Sequence, residues 1–291
     1  MKKFIETLKN IWRIEDLRNR LITTIGFVLI YRFGSYVVIP GVDANALAAL
    51  KSQTSGGIMA LLDMFSGGAF QNASIFALGI MPYISASIVI QLLTIAVPKF
   101  QKLQREGESG RTKMNQYTRY LTVLILVLQG PSYMANLNVQ VAQAGSSLPG
   151  GFLFIATSTI ILMAGSMFVM WLGERITDKG IGNGISFIIM IGIISRLPGA
   201  LIQEFSSRLA DSGGGGLVMF LLEIVILIVV IMFSILLVQG TRKIPVQYAK
   251  RIVGNKQYGG VRQYIPLKVN AAGVMPIIFA QAIMFVPAAL A

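Results

Sequence analysis

The sequence predicts an all-α polytopic membrane protein, and three observations carry that prediction. Mean hydropathy is +0.69, with 54% hydrophobic and 13% charged residues. A soluble core cannot hide that much apolar surface, so lipid must solvate most of the chain. Apolar stretches of spanning length recur; the clearest, 152–172, runs 21 residues without a charge, long enough to cross the hydrocarbon layer. Finally, the cations behind the net charge of +13 collect in alternate loops.

Residues 1–20 place Phe4, Leu8, Ile11 and Trp12 at helical spacing among Lys and Glu, which predicts an amphipathic interfacial helix. Mixed charges and Arg32 in the first apolar stretch argue against a cleaved signal peptide. Seven spans follow, at 21–39, 75–97, 119–137, 152–172, 184–203, 217–239 and 271–291. Six Lys/Arg lie in 1–20, six in 99–119 and seven in 242–268, whereas 41–72 holds only Lys51, 138–151 none, and 196–215 Arg196 and Arg208. This alternation predicts a cytoplasmic N-terminus. Residues 1–20 then form a cytoplasmic segment, 21–203 a first half of five spans, and 204–291 the start of a second half. The chain stops at Ala291 inside apolar span seven, which suggests a truncated record.

Within the outer loop 41–72, the glycine-flanked stretch 58–70 is too short to span. It reads as a short helix folding back into the protein, tolerated at membrane depth only when protein or a water cavity surrounds it. Directly after it, Ile80 and Ile84 fall one turn apart around Pro82. Ile185 and Ile189 repeat that spacing after Gly180–Gly184, and Ile278 follows Pro276. By spacing alone these are ordinary lipid-facing or core isoleucines; together they also suit a constriction that gates by dewetting. Ser85, Ser87, Gln91, Gln129 and Gln281 must face protein or water. Arg32 has a stem long enough to reach backbone carbonyls, and Glu223 suits an outer interface. The basic loops 101–120 and 241–268 exceed simple turns and suit an anionic partner such as RNA phosphate.

Catalysis finds no foothold in this sequence. Without Cys or His the chain lacks thiol redox chemistry, cysteine-ligated metal and the usual general base. It carries no nucleotide-binding loop, and Gly180-x-Gly182-x-Gly184 has no preceding strand. Neither an enzyme nor a cofactor is expected.

The stretches YRFGSYVVIPGV (31–42), LDMFSGGAFQNASIFALGIMPYISASIVIQLL (62–93), EGESGRTKMNQYTRY (106–120), TDKGIGNGISFIIMIGII (177–194), VQYAKRIVG (246–254) and IPLKVNAAGVMPIIFA (265–280) resemble the SecY family of protein-conducting channels, in order and end to end. The resemblance implies an hourglass pore of ten spans in two inverted halves, of which this chain supplies the first half and the start of the second. It places Ile80, Ile84, Ile185, Ile189 and Ile278 on a pore ring. It puts residues 58–72 on a plug, with Leu61, Leu62, Met64, Phe65, Ser66, Gly67 and Gly68 at its heart. Ile88, Gln91, Leu92, Gln129 and Ile277 become edges of a lateral gate. Arg105, Arg111, Lys113, Arg242, Lys243, Lys250, Arg251, Lys256 and Lys268 become docking cations. The implied partners are SecE and SecG subunits, the SecA ATPase, the ribosome with its rRNA, signal sequences, nascent chains and membrane lipid. A secondary transporter with inverted repeats is the competing reading, but it would need paired charges in the membrane, where these spans offer only Arg32 and Glu223. A non-conducting scaffold would not need the re-entrant stretch.

Overall fold

The computed structural model describes residues 6, 12–42, 63, 66–143, 148–149, 151–210, 216–247, 251–253, 256–258 and 262–270. Eight helices are named among them: α1 (Glu15–Gly34), α2 (Met81–Ala96), α3 (Pro98–Arg105), α4 (Glu108–Gln143), α5 (Phe152–Lys179), α6 (Gly184–Ile194), α7 (Leu197–Ala210) and α8 (Gly216–Gln239). Four strands follow: β1 (Thr241–Gln247), β2 (Arg251–Val253), β3 (Lys256–Tyr258) and β4 (Arg262–Lys268). Two compact units divide near residue 199.

In the first unit α5 is the central helix. It packs against α4, α6 and α1, and α4 also packs against α2. Small residues let these backbones approach closely. A Cβ at Gly130 would stand 2.5 Å from the Thr159 side chain, one at Gly173 would stand 3.1 Å from Ile185, and one at Gly165 would run into the Ile75 carbonyl. Two apolar clusters lie along α5. One gathers Ile39, Ala73, Ala77, Tyr133, Met134, Leu137 and Val141 on Leu162. The other gathers Tyr31, Ala69, Phe76, Ile80 and Ile188 on Val169, Leu172 and Ile176. Between α1 and α2 the chain turns back on itself: Ile39 N–H donates to the Ala73 carbonyl (2.9 Å) and Ile75 N–H to that of Val37 (2.9 Å), with Val38 bridging Ser74.

Several predicted bounds move. The first span, expected at 21–39, is helix Glu15–Gly34, and the chain beyond Gly34 leaves the helix to pair with the returning segment. Helix α2 starts at Met81 rather than 75, because residues 75–80 form turns and Pro82 sits in the first helical turn, where its missing N–H costs nothing. Span three is the middle of the 36-residue α4. Span five breaks at Ser195 and Arg196. Among the described residues four stretches are long and apolar enough to cross a membrane, α4, α5, α6 with α7 counted across their break, and α8, and the α2–α3 pair, bent by 101°, gives a fifth. The predicted span 271–291 and most of the N-terminal amphipathic helix lie outside the described residues.

Both basic loops hold helices or strands among their described residues. After the α2–α3 bend, α3 folds back on α4 through Phe100 and Tyr117, edge to face at 5.8 Å, with Gly107 (φ +73°) making the turn. In the second unit β1 pairs antiparallel with β4, from Thr241↔Lys268 to Gln247↔Arg262, and β2 pairs with β3. This ribbon adds to an otherwise helical fold. In this register Arg242, Ile244 and Val246 share one face with Gln263, Ile265 and Leu267. Also in this unit, Arg208 pairs with Glu223 at 2.6 Å, so the predicted lone acid of α8 has a partner.

Candidate functional site

The site is the returning segment and the isoleucines that follow it. Asp63 is fully buried; its Oδ1 accepts from Gln71 N–H (2.9 Å) and its carbonyl from Gly68 N–H (3.0 Å). Ser66 Oγ donates to the Asp63 carbonyl (3.1 Å) and accepts from Phe70 N–H (3.1 Å). Gly67 and Gly68 both have positive φ, +66° and +93°. Gly67 also needs to be glycine for space, because a Cβ would lie 2.9 Å from the Gly192 Cα of α6.

Side chains from several elements then take up the segment's carbonyls. Tyr31 of α1 donates to Ser66 (3.3 Å) and Arg32, next along the helix, to Gly67 (3.2 Å). Tyr133 of α4 donates to Phe70 (2.9 Å). Arg196, in the turn after α6, forms an ion pair with Asp63 and donates to Gln71 Oε1 (3.0 Å). Backbone that cannot complete a helix is thus satisfied by protein, as membrane depth demands. Arg32 performs the carbonyl-reaching role its long stem allowed. Asp63, Arg196 and Tyr133 were missed in the sequence. The available signal was that Asp63 is the sole acid between Asp43 and Glu106.

Ile80 caps the start of α2 and its carbonyl accepts from Ile84 N–H (3.1 Å), which fixes the two one turn apart. Asn183 caps α6 by accepting from Ser186 N–H (3.2 Å), setting Ile185 and Ile189 one turn apart in the same way. Ile80 is buried; Ile84, Ile185 and Ile189 are half-buried. All four pack on the cluster of Tyr31, Ala69, Phe76, Val169, Leu172, Ile176 and Ile188. Ala69 belongs to the returning segment, so segment and isoleucines share one apolar core. Stacked rings carry that core outward from Tyr31 to Phe76 (6.1 Å), Phe168 (5.9 Å) and Trp171 (5.7 Å).

A sequence model of the SecY family matches residues 74–291. The chain belongs to the SecY family. It is 45% identical over 287 residues to the protein translocase subunit SecY of Streptomyces scabiei, and 45% identical over 276 residues to that of Escherichia coli K12. Each match covers 95% of this chain, which spans 64% and 62% of the length of those relatives. Its fold is similar to a solved structure of an idle yeast Ssh1 complex bound to the 80S ribosome (TM-score 0.63, 16% identity, 92% of this chain and 56% of that one). It is also similar to a SecY structure described as one whose plug domain stabilises the closed state of the translocation channel and maintains a membrane seal (TM-score 0.55, 19% identity, 91% and 56%). The chain is a multi-pass membrane protein with a SecY-type helical fold.

Of the plug positions, Ser66, Gly67 and Gly68 stand in the returning segment, while Leu61, Leu62, Met64 and Phe65 lie outside the described residues, as do Ile277 and Ile278. Ile88 is buried, Gln91 and Leu92 are exposed and Gln129 is half-buried, on the packed pair α2 and α4. Gln91 donates to Ser87 Oγ (3.3 Å) within its own helix. Arg105, Arg111 and Lys113 are exposed on α3 and α4, where Lys113 reaches Glu106 at 4.0 Å. Arg242, Lys243 and Lys268 are exposed on the β1–β4 ladder. Arg251 and Lys256 take register positions on β2 and β3, opposite Tyr258 and Val253. Lys250 lies outside the described residues.

Proposed function

We propose that this chain forms the N-terminal part of the central subunit of a protein-conducting channel. The channel moves secretory polypeptides across the bacterial cytoplasmic membrane and releases membrane proteins sideways into it. The observation that carries the reading is the shared core of the returning segment and Ile80, Ile84, Ile185 and Ile189. An aliphatic ring closes softly around a passing chain and excludes water by dewetting, so it limits ion leak without selecting sequence. The returning segment is the plug, seated against the ring. Ile278 completes the part of the ring this chain contributes.

Ile88, Gln91 and Leu92 on one helix and Gln129 on the next, with Ile277 on span seven, line the lateral gate. A hydrophobic signal sequence competes for helix contacts there and shifts the channel towards its open population. The cation distribution puts the N-terminus in the cytoplasm. The cytoplasmic cations Arg105, Arg111, Lys113, Arg242, Lys243, Lys250, Arg251, Lys256 and Lys268 then serve to dock the SecA ATPase or a ribosome's rRNA. SecE and SecG complete the membrane assembly. The chain itself supplies the path; the energy comes from those cytosolic partners.

The test is ion conductance of the assembled channel in planar bilayers. Ile84→Asn places an amide in the ring and raises resting conductance above that of the unsubstituted channel. Unchanged leak from Ile84→Asn, with normal assembly, contradicts a ring role for that position.

A further inference from the structure

Three of the four side chains that hold the returning segment donate to backbone carbonyls; only Arg196 meets a side-chain charge, that of Asp63. Asp63 is fully buried, whereas the Arg196 side chain is 42% exposed. A buried carboxylate at membrane depth stays ionised only while a cation and hydrogen-bond donors surround it. Arg196 supplies the cation and the Gln71 N–H a donor. The two ends of the segment are thereby tied to one guanidinium, because Arg196 also donates to Gln71 Oε1 (3.0 Å). It lies close by Gly68 as well: a Cβ there would stand 3.4 Å from the guanidinium. The cation is carried by the turn directly after α6, the helix that bears Ile185 and Ile189.

We infer that Asp63 and Arg196 form an ionic latch that fixes the returning segment to the end of α6 and sets how readily it leaves its seat. Both are positioning residues. The latch couples the segment to the helix that carries two of the isoleucines, so movement of α6 pulls the guanidinium away from Asp63. Once it goes, the buried carboxylate is left uncompensated, and the segment swings towards water. The hydrogen bonds from Tyr31, Arg32 and Tyr133 end on neutral carbonyls, so losing one costs less than leaving a buried charge without its partner. The latch is a property of the segment's seat; its consequence for transport rests on the channel reading above.

Because the chain contains no cysteine, a single Ser66→Cys thiol, buried at 4% exposure in the seated segment, reports its release. The assembled channel in lipid vesicles is treated with a water-soluble maleimide and the labelling rate is measured. Arg196→Gln, which leaves the buried carboxylate without its cation, accelerates labelling about tenfold, and Asp63→Asn, which removes the buried charge along with the pair, accelerates it less. Arg196→Lys keeps the charge and restores most of the slow rate. Adding Asp63→Asn to Arg196→Gln brings the rate back down to that of Asp63→Asn alone, because no uncompensated carboxylate remains. Unchanged labelling in Arg196→Gln, or an Arg196→Lys rate equal to that of Arg196→Gln, overturns the latch. Secretory-chain transport is measured in the same vesicles. Absence of transport in the unsubstituted channel with latch-dependent labelling counts against the channel reading alone, and transport with latch-independent labelling counts against the latch alone.

Discussion

Gly67 shows how much one residue decides. Its φ of +66° is one that L side chains adopt at a cost, and the α6 backbone leaves no room for a Cβ. Gly67→Ala is expected to destabilise the seated segment by about 1–2 kcal/mol from backbone strain alone, seen as a lower melting temperature of the purified protein in detergent. Tyr133 makes the complementary point. Tyr133→Phe removes the donor to the Phe70 carbonyl and keeps the ring that packs edge to face on Phe70 at 4.8 Å. A loss of about 1 kcal/mol is expected, and a melting temperature equal to the parent's would show that the hydroxyl contributes nothing. Glycine placement and the stem of Arg32 were readable at this scale. The ion pair was not: Asp63 and Arg196 are separated by more than a hundred positions, and only the fold brings them together.

At the scale of elements, the helix starts follow from local chemistry. Pro82 opens α2, and Asn183 caps α6 where the glycine run ends. Asn183→Ala leaves the Ser186 N–H without its acceptor and is expected to cost about 1 kcal/mol, measurable by thermal unfolding. The core side of α5 matters more. Ile176 is fully buried between α1 and α6, and Ile176→Ala should cost about 2–5 kcal/mol by transfer and cavity terms. The spans were legible because a continuous apolar run of 21 residues admits little else. Their ends were less so. Residues 75–80 are apolar enough to extend α2 backwards, yet their backbone is committed to turns and to pairing with Val37. The ribbon of 241–268 went unrecognised as strands because its cations dominate the composition. The alternation of Ile244 with Val246 and Ile265 with Leu267 becomes decisive only once the register pairs them on one face.

For the whole molecule, the distribution of charge and the shared apolar core make the functional argument. Charge reversal of Lys250 together with Arg251 is expected to weaken capture of the cytosolic partner by the assembled channel in a pull-down. Retention equal to the parent's would remove these two cations from the docking surface. The spacing of the isoleucines allowed lipid-facing or core side chains as well as a constriction. Ile80, Ile84, Ile185 and Ile189 come from two different helices and meet the returning segment on one cluster, an arrangement that periodicity within a single helix could not disclose.

The most direct test is a photo-reactive amino acid placed at position 84 or 189 of the assembled channel, with a secretory polypeptide stalled midway through the membrane. The account predicts adducts to the stalled chain from both positions, and far fewer from the exposed Phe233 of α8. Adducts from Phe233 alone, or none from 84 and 189 while the chain is demonstrably stalled, would contradict it.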